Sequence, residues 1–190
     1  MARYGFVINL DTCIGCGACV AACSEENSLV LQQLKEDAEV PLGGRRDILV
    51  IEKGKFPSTV RINHHHTCMH CDNAPCVHVC PTGASYKTEE GAVLIDYDLC
   101  IGCKYCIVAC PYNARYVNEA LGGPDKCTMC YHRITKGLEP ACASSCPTDS
   151  IVFGDLDDPN SEAYKLSLEA VPLAPEIGTK PRVYVIPPRR

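Results

Sequence analysis

Apolar and polar positions alternate along this chain only in short stretches. Tyr4 to Leu10 alternates weakly and predicts a strand, and Ile48 to Glu52 and Thr59 to Asn63 predict two more. Ser85-Tyr86-Lys87 and Ala92-Val93-Leu94-Ile95 flank a turn at Glu89-Glu90-Gly91 and predict a hairpin, with Ile151-Val152-Phe153 as its later counterpart. A polar helical stretch runs around Leu31 to Glu39 and ends in a turn at Pro41-Leu42-Gly43-Gly44. No apolar run approaches the roughly 20 residues of a spanning helix, so membrane association must come through a partner.

Between these elements stand sixteen cysteines in 190 residues, in four sets of four. They are Cys13, Cys16, Cys19 and Cys23; Cys68, Cys71, Cys76 and Cys80; Cys100, Cys103, Cys106 and Cys110; and Cys127, Cys130, Cys142 and Cys146. Sets one and three read C-x2-C-x2-C-x3-C, the run that wraps a cubane cluster in bacterial-type ferredoxins. Pro81, Pro111 and Pro147 follow the last cysteine of sets two, three and four. The two-residue gaps curl backbone around one cluster face, and Gly15 and Gly17 are free to take positive φ so that N–H groups point at sulfur. Cys23 and Cys110 lie one helical turn beyond Cys19 and Cys106, where they face a second cluster. Proline stops such a helix. Set one has Ser24 there, so its helix is expected to run on through Glu25, Glu26 and Asn27.

Other uses of cysteine fit less well. Disulfide scaffolds are small secreted domains without this spacing, and no signal peptide is expected ahead of Arg3-Tyr4-Gly5-Phe6. Zinc suits Cys127, Cys130 and Cys142 taken alone, but not two near-identical four-cysteine runs. Composition agrees with a fold built around metal: the 46% hydrophobic share includes the cysteines, there is no Trp, and Phe numbers three. The apo chain is therefore expected to fold poorly. The net charge of −5 becomes more negative on ligation, by roughly −2 per oxidised cluster, which excludes nucleic acid as a natural partner. Lys104, Lys126, Arg115 and Arg133 lie near ligands in sequence and are candidates to offset that charge.

His64-His65-His66 looks like a metal site, but successive strand residues point to opposite faces and cannot all converge. These three, with His70, His78 and His132, are read as packing or hydrogen-bonding near a cluster. Arg45-Arg46 is read as a solvated turn, since it is internal and lacks the apolar region of a twin-arginine leader.

Taken together, the motifs resemble the four-cluster iron-sulfur subunits of molybdopterin oxidoreductases in the dimethyl sulfoxide reductase family, most of all those of polysulfide and thiosulfate reductases. The resemblance rests on Cys76-Val-His-Val-Cys-Pro-Thr-Gly-Ala-Ser85, Ala109-Cys-Pro-Tyr-Asn-Ala-Arg-Tyr116, Lys126-Cys-Thr-Met-Cys-Tyr-His-Arg133, Cys146-Pro-Thr148, Phe153-Gly-Asp-Leu156 and Gly178-Thr-Lys-Pro181, and covers the whole chain. It implies an α+β fold of two bacterial-ferredoxin-like two-cluster domains, with an inserted segment and an extended C-terminal tail. One domain would join residues 1–30 to 120–156 and the other span 60–119, with 31–59 as insertion and 157–190, rich in proline, as an arm over a partner.

The resemblance further implies four 4Fe-4S clusters with nested ligands: Cys13, Cys16 and Cys19 with Cys146; Cys127, Cys130 and Cys142 with Cys23; Cys68, Cys71 and Cys76 with Cys110; and Cys100, Cys103 and Cys106 with Cys80. Spacing alone leaves open the adjacent pairing of set one with two and set three with four. No residue is assigned a catalytic role. A large molybdenum or tungsten pterin catalytic subunit and an integral membrane quinone-binding anchor are the implied partners. The Cys13 cluster would face the former and the Cys23 cluster the latter. Such subunits are often exported folded with a partner, which implies the outer side of the membrane, with the cytoplasmic side still open. An iron-sulfur subunit of a formate dehydrogenase or hydrogenase complex, and a free polyferredoxin, are the alternatives.

Overall fold

The computed structural model describes residues 2–27 and 44–189, so the predicted Leu31 to Glu39 helix and residues 41–43 lie outside the described residues. In chain order the elements are β1 (Tyr4–Asn9), α1 (Ala18–Glu26), β2 (Arg46–Lys55), β3 (Ser58–Thr67), α2 (Pro75–His78), β4 (Ser85–Lys87), β5 (Val93–Ile95) and α3 (Tyr105–Val108). Then follow β6 (Tyr116–Asn118), β7 (Gly123–Asp125), α4 (Tyr131–Ile134), α5 (Ala141–Ser144), β8 (Ile151–Asp155), α6 (Glu162–Ser167), β9 (Val171–Pro172) and β10 (Val183–Ile186). The result is α+β, with every strand anticipated from alternation present in its expected place. Strands β2 and β3 run ten residues each and form one long hairpin.

One four-stranded sheet, in the order β8-β1-β10-β9, contrasts with three two-stranded ones. Strand β1 pairs antiparallel with β8 and parallel with β10, with Phe6 opposite both Phe153 and Val183. Phe6, Ile8 and Val183 are almost wholly buried, and the Phe6 and Phe153 rings meet at a tilt with centroids 5.2 Å apart. The C-terminal region is thus a correction to the expected extended arm. Its six prolines disguised a strand, Val183-Tyr184-Val185-Ile186, whose β-branched residues fill the sheet beside β1. Just ahead of it, Asp72 N–H donates to Lys180 O, Asn73 N–H to Thr179 O and Arg182 N–H to Met69 O, which straps residues 178–182 onto the set-two loop.

The helices carry out what the proline spacing dictates. α2, α3 and α5 each stop two residues before the cysteine of a Cys-Pro pair, because the residue before proline avoids α geometry. α1, which has Ser24 rather than proline after Cys23, extends to Glu26 and is closed by Asn27. α1 packs on α5 and α2 on α3, which brings set one beside set four and set two beside set three.

Candidate metal centres

All four cysteine loops share one backbone device. The residue before the second cysteine is left-handed in each: Gly15 at φ 68°, His70 at 43°, Gly102 at 68° and Met129 at 60°. Only the glycines announced it in sequence. The strain of His70 and Met129 is held by their surroundings, since both are fully buried. A second device closes each Cys-Pro loop. The third residue after the cysteine, Gly83, Asn113 or Asp149, is again left-handed. In two of these loops the turn brings N–H groups onto sulfur: Ser85 N donates to Cys80 Sγ and Ser150 N to Cys146 Sγ, both at 3.3 Å. Thr82 and Thr148 hydroxyls lie 3.7 and 3.8 Å from the same two sulfurs.

The thiols collect around internal hollows. Cys23, Cys127, Cys130 and Cys142 line one, Cys68, Cys71, Cys76 and Cys110 another, and Cys80, Cys100, Cys103 and Cys106 a third. Cys13 lies close enough to Cys146 and Cys16 for their charges to act on it, and Cys19 to Cys13 and Cys146. A wider cleft at Arg45, Tyr97 and Asp125 holds no thiol. Among the described residues no three His, Cys, Asp or Glu side chains converge on a single ion position. Thiols spread around a hollow, soft in chemistry and met by N–H donors, suit a cubane cluster.

Burial makes these hollows hostile to bare thiolates. It pushes the Cys19 and Cys130 thiols up to about 11 and Cys71 up to about 12, with neighbouring thiols adding to the effect. Ligation must therefore expel protons as the site assembles. Cys80 and Cys146, met by N–H and hydroxyl donors, are held below the usual thiol value, and so is the fully buried Cys127. Against complete burial, His70 pulls it down to about 7. His70 Nδ1 accepts from Val93 N–H at 3.0 Å, which leaves the proton on Nε2, beside that sulfur.

A second histidine, His65, completes the set-one site. Burial and the nearby Arg46 charge hold it down to about 3, so it is neutral. Arg46 Nη1 lies 3.1 Å from Nδ1, and arginine only donates, so Nε2 carries the proton and gives it to Cys13 Sγ at 3.2 Å. Arg46 is 2% exposed and Arg45 pairs with buried Asp125 at 3.1 Å, which corrects the reading of this dipeptide as a solvated turn. Of the expected counter-charges, Arg115 and Lys126 are buried, whereas Lys104 is exposed and Arg133 pairs with Glu26 at 2.7 Å.

The groups lie in file. Cys19 of the first is within reach of Cys142 of the second, Cys127 of the second shares a buried cluster with Cys68 of the third, and Cys76 of the third acts on Cys106 of the fourth. The only exposed thiols are Cys16 and Cys103, one in each end group. The Cys23 group stands inside the file. All four of its thiols are buried, because cross-packing of α1 on α5 turns Cys23 inward.

Two family models, each described as a 4Fe-4S dicluster domain, match residues 12–84 and 62–156, overlapping over 62–84. The sequence is 42% identical to a polysulfide reductase component of Wolinella succinogenes, over 99% of its own length and 96% of the relative. It is 42% identical to a sulfite dehydrogenase component of Allochromatium vinosum, over 100% and 85%. It is 37% identical to a tetrathionate reductase component of Salmonella typhimurium, over 97% and 72%.

Proposed function

The protein belongs to the 4Fe-4S dicluster family of iron-sulfur subunits, and on that premise we propose that it relays electrons through four clusters between a membrane quinone-reactive anchor and a molybdopterin catalytic subunit. The terminal reaction on this reading is reduction of a sulfur compound of the polysulfide or thiosulfate type. A bound 4Fe-4S cluster supplies one-electron redox chemistry. The ligands assigned are the nested sets, three cysteines from one loop and one from another. Residues 1–30 with 120–156 are assigned to one unit and 60–119 to the other.

The observation that carries the reading is the single file of thiol groups with an exposed thiol only at each end. Interior groups surrounded by protein keep water and other oxidants away, while the end groups meet partners. Around Cys103 stand exposed Leu99, Ile101, Tyr105 and Val108, and beside Cys16 stands exposed Ile14. Apolar side chains bared around a redox centre suit contact with another subunit. We assign the Cys13 end to the catalytic subunit and the Cys103 end to the anchor. Among the described residues no helix is long and apolar enough to cross a membrane, so attachment runs through the anchor, on the outer face if the complex is exported.

Anaerobic purification of the complex, metal analysis and redox-titrated EPR test this. About sixteen irons per polypeptide and four cluster signals are expected. Zinc in place of iron, or a protein that purifies without a pterin subunit, would sink it.

A further inference from the structure

Two arginines lie inside the file with guanidinium nitrogens that the protein leaves without partners. Arg46 Nη2 and Arg115 Nε and Nη1 are buried and make no hydrogen bond among the described residues. The side chains are 2% and 3% exposed. Two other arginines behave differently: half-buried Arg45 pairs with Asp125 and buried Arg182 with Asp72, whereas neither Arg46 nor Arg115 meets a carboxylate among the described residues. A guanidinium buried without an anion is strongly disfavoured. The anions within reach are cysteine sulfurs.

Each arginine touches two thiol groups. Arg46 lines the hollow of Cys23 and Cys142 and reaches Cys13 through His65, with the Phe6 ring 5.6 Å beneath it. Although full burial opposes its charge, Cys142, Cys127, Cys19 and Cys23 hold it fast. Arg115 lines the hollows of both Cys68 and Cys80, donating from Nη2 to Cys76 Sγ at 3.1 Å and to Ser85 Oγ at 2.6 Å. One arginine therefore serves each half: Arg115 lines both hollows of its half, and Arg46 lines the Cys23 hollow and acts on the Cys13 group through His65 and on Cys19.

Resting on the four-cluster reading above, we propose that Arg46 and Arg115 are shared counter-charges, each acting on the two clusters of its half and raising both of their reduction potentials together. Reduction adds one negative charge to a cluster, and a fixed cation nearby favours that state. The free N–H groups are the donors that meet cluster sulfur. Because guanidinium never deprotonates in proteins, these arginines offset the added electron's charge without a proton uptake of their own.

The test is redox-titrated EPR on the intact complex carrying Arg46→Gln or Arg115→Gln, with iron counted in each preparation. Each variant is expected to lower the midpoints of its own two clusters by a tenfold change in reduced-to-oxidised ratio, about 59 mV for one electron, and to leave the other two in place. Arg46→Lys and Arg115→Lys keep the charge without the fork. They are expected to shift the same pair downward by less, and they decide the matter if the Gln variants lose iron. Full iron with unmoved midpoints, or a shift spread evenly over all four clusters, would overturn the proposal. A wild-type complex with fewer than about sixteen irons would instead overturn the four-cluster reading beneath it.

Discussion

The two halves of the molecule hold the same kind of cysteine loop on unequal scaffolds. The half with sets one and four has the nine-residue α1 and a four-stranded sheet whose strands come from both ends of the sequence. The half with sets two and three has four-residue helices and a hairpin of three residues per strand, β4 with β5. A two-stranded hairpin is marginal in water, and although Val93 and Leu94 share the buried core of Phe6 and Ile8, that half is expected to lean more on metal for its order than the half with the four-stranded sheet. Metal ligation and hydrophobic burial are thus interchangeable supports, used in different proportions within one protein.

Removing the iron gives the largest effect. Under anaerobic chelation, amides of β4 and β5 are expected to exchange at open-chain rates while those of β1, β8 and β10 keep protection at least roughly tenfold greater. Equal exchange in both halves would erase the contrast. Hydrogen exchange read by mass spectrometry makes the measurement.

A smaller effect is expected where the halves are tied. Asp72 accepts from Arg3 at 3.0 Å, Lys87 at 3.2 Å and Arg182 at 2.6 Å, so that one carboxylate joins the N-terminal strand, the set-two half and the strap leading to β10. Burial raises its pKa, but Arg182, Arg3 and Lys87 together hold it below the usual carboxylate range. Asp72→Ala is expected to cost about 1–3 kcal/mol and to loosen the strap first, seen as earlier denaturant unfolding of the loaded protein. An unchanged midpoint would mean that the halves cohere without it.

The smallest effect marks the exposed end of the β2–β3 hairpin, away from Arg46 and His65. Val50 is 49% exposed on β2, and Val50→Thr is expected to stay within about 0.5 kcal/mol of wild type in the same unfolding assay. A larger loss would give the hairpin tip a structural role.

Much of the fold was legible in the sequence. Period-two alternation found β1, β2, β3, β4, β5 and β8; β3 shows it in the structure too, with Asn63, His65 and Thr67 buried between half-buried neighbours. Cysteine spacing located the loops, and Ser24 in place of proline foretold the longer α1. What escaped had physical causes. Proline at 181, 187 and 188 masked β10, which is an inner strand but needs only four residues between them. Arg46 looked solvated because charge predicts exposure, and its anions are distant in sequence. The left-handed His70 and Met129 gave no signal, since neither residue favours that conformation by itself. Which thiol group lies at an end and which lies inside depends on helix packing, and spacing carries no trace of it.

The parallel pairing of β1 with β10 also sets a timetable. Phe6 opposes Val183, so a ribosome must make the whole stretch between them before the first strand gains its second neighbour. Cys13 likewise waits for Cys146, while the set-two and set-three loops emerge consecutively with every thiol of their hollows already made. The middle of the protein is ready for iron earlier in synthesis than the pairing of set one with set four.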